Sequence, residues 1–356
     1  MANDAVEFTI DGVALLNEIS SSLKDHVIFS KPEEADAVTL WCAGTYLMDV
    51  WQLWPKLYIH SPERECGKTT LLSAVEAVVK NGQMTANITA SALYRLIELK
   101  QPTLCIDEAD RFLGDNQELN GIINAGHTRR TAKKILTEPT KDGGFRVTEF
   151  SLWGAQVIAG IGQQADTLLS RSVKIALRRK RPFEKVNRMR LEYFDNQKPI
   201  REKLQIWATQ NSSIIKELND GGPEGASDRA QDNWTALIKI AKAVGGEWPR
   251  RANIAFQKME VTYNDDNSIS QGIELLQDIQ SLIQFIENDH IPAKRLREAL
   301  VGMEDANWRR QNYGRPISDK WLAKNLRQYQ IKSVKLRDYN AYFFSEINDA
   351  VMRYIQ

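Results

Sequence analysis

At 356 residues with 42% apolar content, the chain is long enough for two or three compact units with ample core, and a formal net charge of +1 points to no partner chosen by bulk charge. Cys42, Cys66 and Cys105 show no Cys-x-x-Cys spacing, which excludes a disulfide framework or a thiolate metal site and reads as reduced thiols. The start has no basic and apolar signal and no apolar run reaches spanning length, so the expectation is a soluble cytoplasmic protein without a membrane partner.

Residues 1–55 read as helical. Val13, Leu15, Leu16, Ile19 and Leu23 make one amphipathic stripe, and Pro32 opens a second helix running from Ala35 to Trp51. An α/β core follows over 56–181. Its strand signals are Leu57–Ile59, Leu104–Ile106, Val157–Ala159 and Val173–Leu177, with helices between them, which implies a parallel sheet. Residues 182–268 read as a mostly helical lid, broken by the turn-rich Asn219-Asp-Gly-Gly-Pro-Glu-Gly225, with a linker at Asn264–Ser268. Residues 269–356 form the last unit. Charge is uneven: Arg171 to Lys203 holds twelve Lys and Arg against four acids, and the last quarter is also basic. There is no internal repeat and no low-complexity segment.

The first motif sits where the core begins. A strand run ending at Ile59 feeds His60-Ser-Pro-Glu-Arg-Glu-Cys-Gly67-Lys68-Thr69-Thr70, and Leu71, Leu72, Val75, Val78 and Val79 then recur at helical spacing. Strand, tight loop ending Gly-Lys-Thr, then helix is the context that a phosphate-binding loop needs. Backbone N–H groups and the helix N-terminus hold phosphates in such a loop. Glu63, Arg64, Glu65, Cys66, Gly67, Lys68, Thr69 and Thr70 are therefore the expected nucleotide contacts. Lys68 reaches the β and γ oxygens, and the Thr69 hydroxyl binds Mg²⁺. The usual first glycine of the loop is Pro62 here.

A second buried-strand run, Thr103-Leu-Cys-Ile106, ends on Asp107-Glu-Ala-Asp110, about forty residues after Lys68. If the two strands are parallel and adjacent, Asp107 and Glu108 stand beside the loop. Asp107 then holds the water shell of Mg²⁺, and Glu108 polarises the attacking water as general base. No Asn-Lys-x-Asp guanine-reading motif follows, so the expected cofactors are ATP and Mg²⁺.

Between this pair and the fourth core strand, two β-prone runs flank Lys141-Asp-Gly-Gly144, a hairpin signal spanning Lys133–Phe150. Several ring helicases place a DNA-contacting loop there, facing a central pore. Lys141 at the tip and Arg146 beside it are either DNA contacts or part of a solvated surface hairpin. Further on, Ser170-Arg171 follows a short helix and precedes the last core strand, which resembles the arginine-finger position of many AAA+ ATPases. Arg171 is then a catalytic residue acting on a neighbouring subunit, or else a helix-end cation pairing with carbonyls. Arg129, Arg130 and Arg229 are weaker candidates for contacts between subunits; Arg229 could also act as a lid sensor, or pair with Asp228 or Asp232. Gly160 and Gly162 occupy the region where such proteins usually carry a polar sensor, so none is assigned.

The C-terminal stretch reads as three short helices followed by a strand pair, the pattern of a winged helix. Ser318 caps the third helix, which presents Lys320, Lys324 and Arg327 on one side and Trp321, Leu322 and Leu326 inward. That face suits DNA phosphates, although winged helices also bind proteins. Trp234, Trp248, Trp308 and Trp321 read as core anchors.

Taken together, these residues resemble the DUF3631-type proteins of bacteria, phages and mobile elements, which often stand beside primase modules. The resemblance rests on Ser61-Pro-Glu-x-x-Cys-Gly-Lys-Thr-Thr-Leu-Leu72, Pro102-Thr-Leu-Cys-Ile-Asp-Glu-Ala-Asp110, Asn124-Ala-Gly-His127 and Ala159-Gly-Ile-Gly162. Asp166-Thr-Leu-Leu-Ser-Arg-Ser172, Ala176-Leu-Arg-Arg-Lys180, Asp228-Arg-Ala-x-Asp-Asn-Trp234, Trp248-Pro249, Trp321-Leu-Ala and Arg353-Tyr354 extend it over nearly the whole chain. The family's Ser-Pro-Glu also accounts for Pro62. The resemblance implies an AAA+-like P-loop ATPase, a helicase or a replication factor.

The fold class expected is therefore α/β: a P-loop ATPase core with a parallel sheet, N-terminal helices, a helical lid and a C-terminal winged-helix domain. The leading functional expectation is an ATP-hydrolysing, ring-forming DNA helicase or translocase in the replication of a phage, plasmid or other mobile element. Its partners would be single-stranded DNA in a central pore, further copies of itself in a hexamer, and a primase or other replication protein. The alternatives are a nucleotide-switched loader or defence ATPase whose winged helix binds protein, and a DNA-binding initiator with a vestigial ATPase. Glu108 argues against the last, since a vestigial site has no use for a general base.

Overall fold

A computed structural model of the protein describes residues 9–61, 63–109, 113, 116–161, 165–218, 222–224, 226–261, 271–284, 286, 288–303, 307–309, 315–327 and 329–355. Pro62, Asp110, Gly162, much of the 219–225 turn and the Asn264–Ser268 linker lie outside the described residues. The chain divides into two compact units, 1–265 and 266–356. Among the described residues no helix is long and apolar enough to cross a membrane.

The first unit is built on five parallel strands: β1 (Lys56–Ser61), β2 (Gly82–Thr85), β3 (Thr103–Ile106), β6 (Gln156–Ile161) and β7 (Ser172–Ala176). They lie in the order β2-β3-β6-β1-β7. Helices cover both faces, so the middles of β1, β3 and β6 read as short apolar runs rather than alternating ones. The alternation reappears in what each residue touches. Leu57, Ile59, Cys105, Val157 and Ala159 join one core, while Tyr58, Leu104, Ile106 and Ile158 join the other. Each fully buried side chain of this size contributes about 1.5–3 kcal/mol.

The first core is shared by α1 (Gly12–His26), α2 (Pro32–Gly44), α3 (Lys68–Val78) and the helices α8 (Lys198–Glu217), α9 (Asp228–Val244) and α10 (Trp248–Phe256). Trp41, Trp54, Trp207, Trp234 and Trp248 are its largest buried side chains. Buried ion pairs tie these helices to the sheet and to each other: Lys174 on β7 to Glu260 at 3.0 Å, and Arg251 to Asp36. The second core holds α4 (Ala90–Lys100), α5 (Gln117–Ala125) and the inner face of the hairpin β4 (Lys133–Pro139) and β5 (Phe145–Ser151).

Three elements differ from expectation. α2 stops at Gly44 instead of continuing to Trp51, and Thr45–Leu47 tighten into a 3₁₀ turn. A β-carbon at Gly44 would stand 2.0 Å from the Trp54 ring, so the chain turns where that indole needs room. β2 carries no apolar pattern because it is a half-buried edge strand with the sequence Gly-Gln-Met-Thr. Residues 178–191 form an irregular strap, whereas helix was expected from 182. α6 (Asp166–Leu169) and α7 (Glu192–Asn196) are single turns on either side of β7 and the strap.

The second unit packs α11 (Gln271–Ile283), α12 (Ala293–Gly302), α13 (Asp319–Arg327) and α14 (Phe344–Tyr354) on a three-stranded antiparallel sheet. The strand order is β8 (His290–Pro292), β10 (Tyr339–Phe343), β9 (Val334–Leu336). Leu276, Ile279, Leu296, Leu322, Leu326 and Tyr342 lie in its core. β8 and α14 are additions to the expected three helices and strand pair.

Candidate functional site

β1 ends at Ser61 and α3 begins at Lys68, so the loop between them turns at the C-terminal edge of the sheet. Glu65 (φ +61°) and Gly67 (φ +86°) make the turn in the left-handed region. A β-carbon at Gly67 would meet nothing, so backbone angle and not space calls for glycine there. Lys68 folds back on the loop: its Nζ donates to Ser61 Oγ at 2.7 Å and to the Glu63 carbonyl at 3.2 Å. Cys66 is buried, with Sγ 3.5 Å from the Arg64 carbonyl.

Thr69 Oγ1 donates to Asp107 Oδ2 at 2.9 Å, and Asp107 Oδ1 accepts from the Glu108 amide at 2.8 Å. The expected closeness of Asp107 to the loop was conditional on β1 and β3 being neighbours. They are not, because β6 lies between them. The contact therefore spans the end of β6, where Gly160 has no side chain to block it. Glu108 has φ +52°, a conformation that costs a non-glycine residue about 1–3 kcal/mol and is met at functional sites. These residues, with Arg64, Glu65, Gly160 and Ile161, line a cavity of about 240 Å³. Beneath it, His60 is pushed down to about 4, first by burial and then by Lys174 and Lys68.

Thr69 and Asp107 present two hard oxygens facing one point. That donor set fits Mg²⁺, which takes one or two protein oxygens and leaves its other positions to water and phosphate.

Arg179, just after β7, donates to the Arg64 carbonyl at 3.1 Å and lies 3.6 Å from the Glu65 carboxylate. The sequence reading placed it in a basic run and in the Ala176-Leu-Arg-Arg-Lys180 motif but gave it no role at the loop. Its position after a strand paired with β1 up to His60↔Ala176 was the available signal. Farther along the same strap, Arg188–Leu191 and Phe194 line a second cavity with Thr69, Thr70 and Ser73.

Arg171 stands at the other edge. Its carbonyl accepts from the Lys56 amide at 2.9 Å, and Ser172 pairs with Lys56 at the N-terminal end of β1. The five steps along the six residues of β1, at ~3.3 Å each, keep its backbone roughly 17 Å from the loop of its own chain. Its Nη1 donates to the Thr167 carbonyl at 2.7 Å, so the helix-end contact exists. Among the described residues Arg229 pairs with neither Asp228 nor Asp232: its Nη1 donates to Ser170 Oγ at 3.1 Å. The Arg171 guanidinium is held below its usual value, first by burial and then by Arg229. Buried Lys56 is lowered to about 7, by burial and then by Arg171. His127 sits beside them, lowered to about 4 by burial, with Nε2 2.9 Å from Asn233 Oδ1. Arg129 is engaged within the chain by the Asp49 carbonyl at 2.8 Å.

The hairpin places Lys141 at its tip, where Gly143 (φ +81°) completes the turn, and Arg146 opposite Glu138. Leu136 and Phe150 face the core; Ile135, Phe145 and Val147 are 62%, 76% and 66% exposed. On α13, the Ser318 hydroxyl accepts from the Trp321 amide at 3.1 Å. Lys320, Lys324 and Arg327 are exposed, Leu322 and Leu326 are buried, and Trp321 is half-buried against Trp308.

Sheet and loop together define a mixed α/β protein with a candidate phosphate site at the C-terminal edge of a parallel sheet. The chain belongs to the DUF3631 family, described as a protein of unknown function, whose model matches residues 176–354. It is 26% identical over 137 residues to an "Uncharacterized 28.9 kDa protein in xis 5'region" of Saccharopolyspora erythraea, covering 38% of this chain. The chain spans about half the length (50%) of that curated relative. Among solved structures it is similar to the apo C-terminal region of NrS-1, with TM-score 0.40, 13% identity, and 93% of this chain and 74% of that one covered. It is also similar to "SCCmec type IV Cch - active helicase", with TM-score 0.40, 13% identity and coverage of 88% and 67%.

Proposed function

We propose that the protein is an ATP-dependent, ring-forming DNA translocase or helicase that serves the replication of a phage, plasmid or other mobile element. The reading rests above all on the 2.9 Å contact between Thr69 and Asp107, which joins the Gly-Lys-Thr loop to the acid of a separate strand. On this reading the loop amides and Lys68 hold the triphosphate, and Lys68 exchanges Ser61 for a phosphate oxygen. Thr69 and Asp107 hold Mg²⁺, whose charge offsets that of the phosphates. Glu108 takes the proton of the attacking water.

Arg171 has its backbone roughly 17 Å from this chain's own loop. It serves the nucleotide of a neighbouring copy, which calls for a homo-oligomer, and a hexameric ring closes such head-to-tail contacts. Lys141 and Arg146 would meet single-stranded DNA in the pore. In the 269–356 unit, read as a winged helix, Lys320, Lys324 and Arg327 would meet further phosphates or a primase-bound template. The test is the ATPase rate with and without single-stranded DNA over a salt series. Stimulation that fades with salt supports the reading; a rate indifferent to DNA overturns its translocase part.

A further inference from the structure

The strap after β7 makes a second cavity, which the phosphate site does not use. β7 pairs with β1 up to the loop, so the chain that leaves β7 is delivered to the same edge of the sheet. It is then pinned alongside α1 and α3. The Asn187 amide donates to the Asp25 carbonyl at 2.7 Å, and the Tyr193 hydroxyl lies 3.1 Å from Ser22 Oγ. Arg201 donates both to the Ala77 carbonyl, at 2.5 Å, and to the Phe194 carbonyl, at 3.4 Å. Held in this way, Arg188, Met189, Arg190, Leu191 and Phe194 face Thr69, Thr70 and Ser73 across an open cavity of about 590 Å³.

Two properties say what the cavity suits. Thr69 lines both this cavity and the phosphate cavity, so the two spaces meet at the first turn of α3. A group covalently joined to phosphates lying along that turn passes from one into the other. The lining also combines apolar surface with planar cations. Leu191 is left 86% exposed, beside half-buried Met189 and Phe194, and the Arg188 and Arg190 guanidiniums are exposed on either side of Met189. Apolar side chains and guanidinium planes bind a flat aromatic ring by its faces.

We propose that the cavity between the first turn of α3 and the 188–194 strap binds the purine base and ribose of a nucleoside triphosphate, chiefly through Leu191 and Arg190. This rests on the reading of 62–70 as the phosphate loop. The site takes hold of the ring's faces more than its edge, so purines are preferred to pyrimidines and to a bare polyphosphate. The base adds affinity to phosphate binding without altering the chemistry at Glu108.

The test is equilibrium binding of ATP, CTP and inorganic tripolyphosphate, each with Mg²⁺, to the full chain and to the Leu191→Ala and Arg190→Ala variants. Leu191→Met serves as the conservative control, and thermal melts check the fold of each. Wild type is expected to hold ATP about tenfold more tightly than tripolyphosphate or CTP. Leu191→Ala and Arg190→Ala each remove most of that advantage and leave tripolyphosphate unchanged, while Leu191→Met keeps it. Equal binding of ATP and tripolyphosphate by wild type overturns the base site and leaves the phosphate loop standing, as does an ATP preference untouched by both variants. Failure of both ligands to bind, with Lys68→Ala behaving as wild type, removes the phosphate loop and the base site together.

Discussion

Asp107 and Glu108 are neighbours in sequence with separate geometries. Asp107 already spends both oxygens on Thr69 and on the Glu108 amide, whereas Glu108 itself sits on a left-handed backbone, with φ +52°. Binding and hydrolysis should therefore separate. Glu108→Gln is expected to bind ATP nearly as wild type and to lose turnover by about 10²-fold or more. Lys68→Ala is expected to weaken binding itself. Equilibrium binding beside steady-state turnover checks both; a Glu108→Gln protein with near wild-type turnover removes the general base. Buried histidines carry a second expectation. His60 and His127, both near 4, are protonated in the unfolded chain at pH values where the fold keeps them neutral, so stability falls as pH drops from about 6.5 towards 4. Glu34 is raised to about 7 by burial and acts in the opposite direction between 4.5 and 7. Two protons against one leave a net loss of about 1.4 kcal/mol per pH unit from these groups. Denaturant midpoints between pH 6.5 and 4.5 test this. His60→Phe, which removes a buried Nε2 without a partner among the described residues, should flatten the dependence.

At the scale of elements, what was legible in the sequence followed from burial on both faces. The central runs of β1, β3 and β6, and Val173 and Ile175 of β7, are apolar because helices cover the sheet above and below, and the Gly-Lys-Thr loop is legible because it links such a strand to an amphipathic helix. β2 was hidden, since an edge strand of mixed residues carries neither period. α14 was hidden because Tyr342–Phe344, read as strand alone, spans the junction where β10 gives way to helix at Phe344. The strap was lost for a different reason: its residues are held by single backbone contacts to other elements, which leave no local pattern. The neighbourhood of Asp107 and Thr69 was foreseen, although through the wrong topology. The hairpin was also legible, from Lys-Asp-Gly-Gly, but not its outward apolar face of Ile135, Val147 and Phe145. On the proposed function, Lys141→Ala is expected to abolish most DNA stimulation of ATPase and to do so equally for any DNA sequence. Changes at Lys320 or Lys324 should instead alter preference among sites. Normal unwinding by Lys141→Ala would make the hairpin a surface feature.

At the scale of the whole molecule, the proposed function gives the parallel sheet two working ends. Its C-terminal edge carries Lys68, Thr69, Asp107 and Glu108, and its N-terminal edge carries Arg171 and Arg229 beside the buried Lys56. No acid is among the groups that perturb Arg171; burial and Arg229 both weaken its hold on its proton. On the proposed function, the edge that binds phosphate lies at the other end of the same strands. On the same reading, two copies stacked head to tail would bring one copy's arginines to the next copy's nucleotide, and a ring would repeat that contact without leaving an end. One chain cannot bring the two edges together, since β1 holds them apart along its whole length. The expected outcome is complementation. Arg171→Ala and Glu108→Gln subunits, each inactive alone, should regain part of the ATPase rate when mixed, because one class of interface pairs an intact Glu108 with an intact Arg171. Mixed assemblies verified by co-purification yet showing no recovered rate would deny the contact between subunits. Full activity in a protein that sediments as a monomer at working concentration would deny it more directly, leaving Arg171 with only its helix-end bond to Thr167.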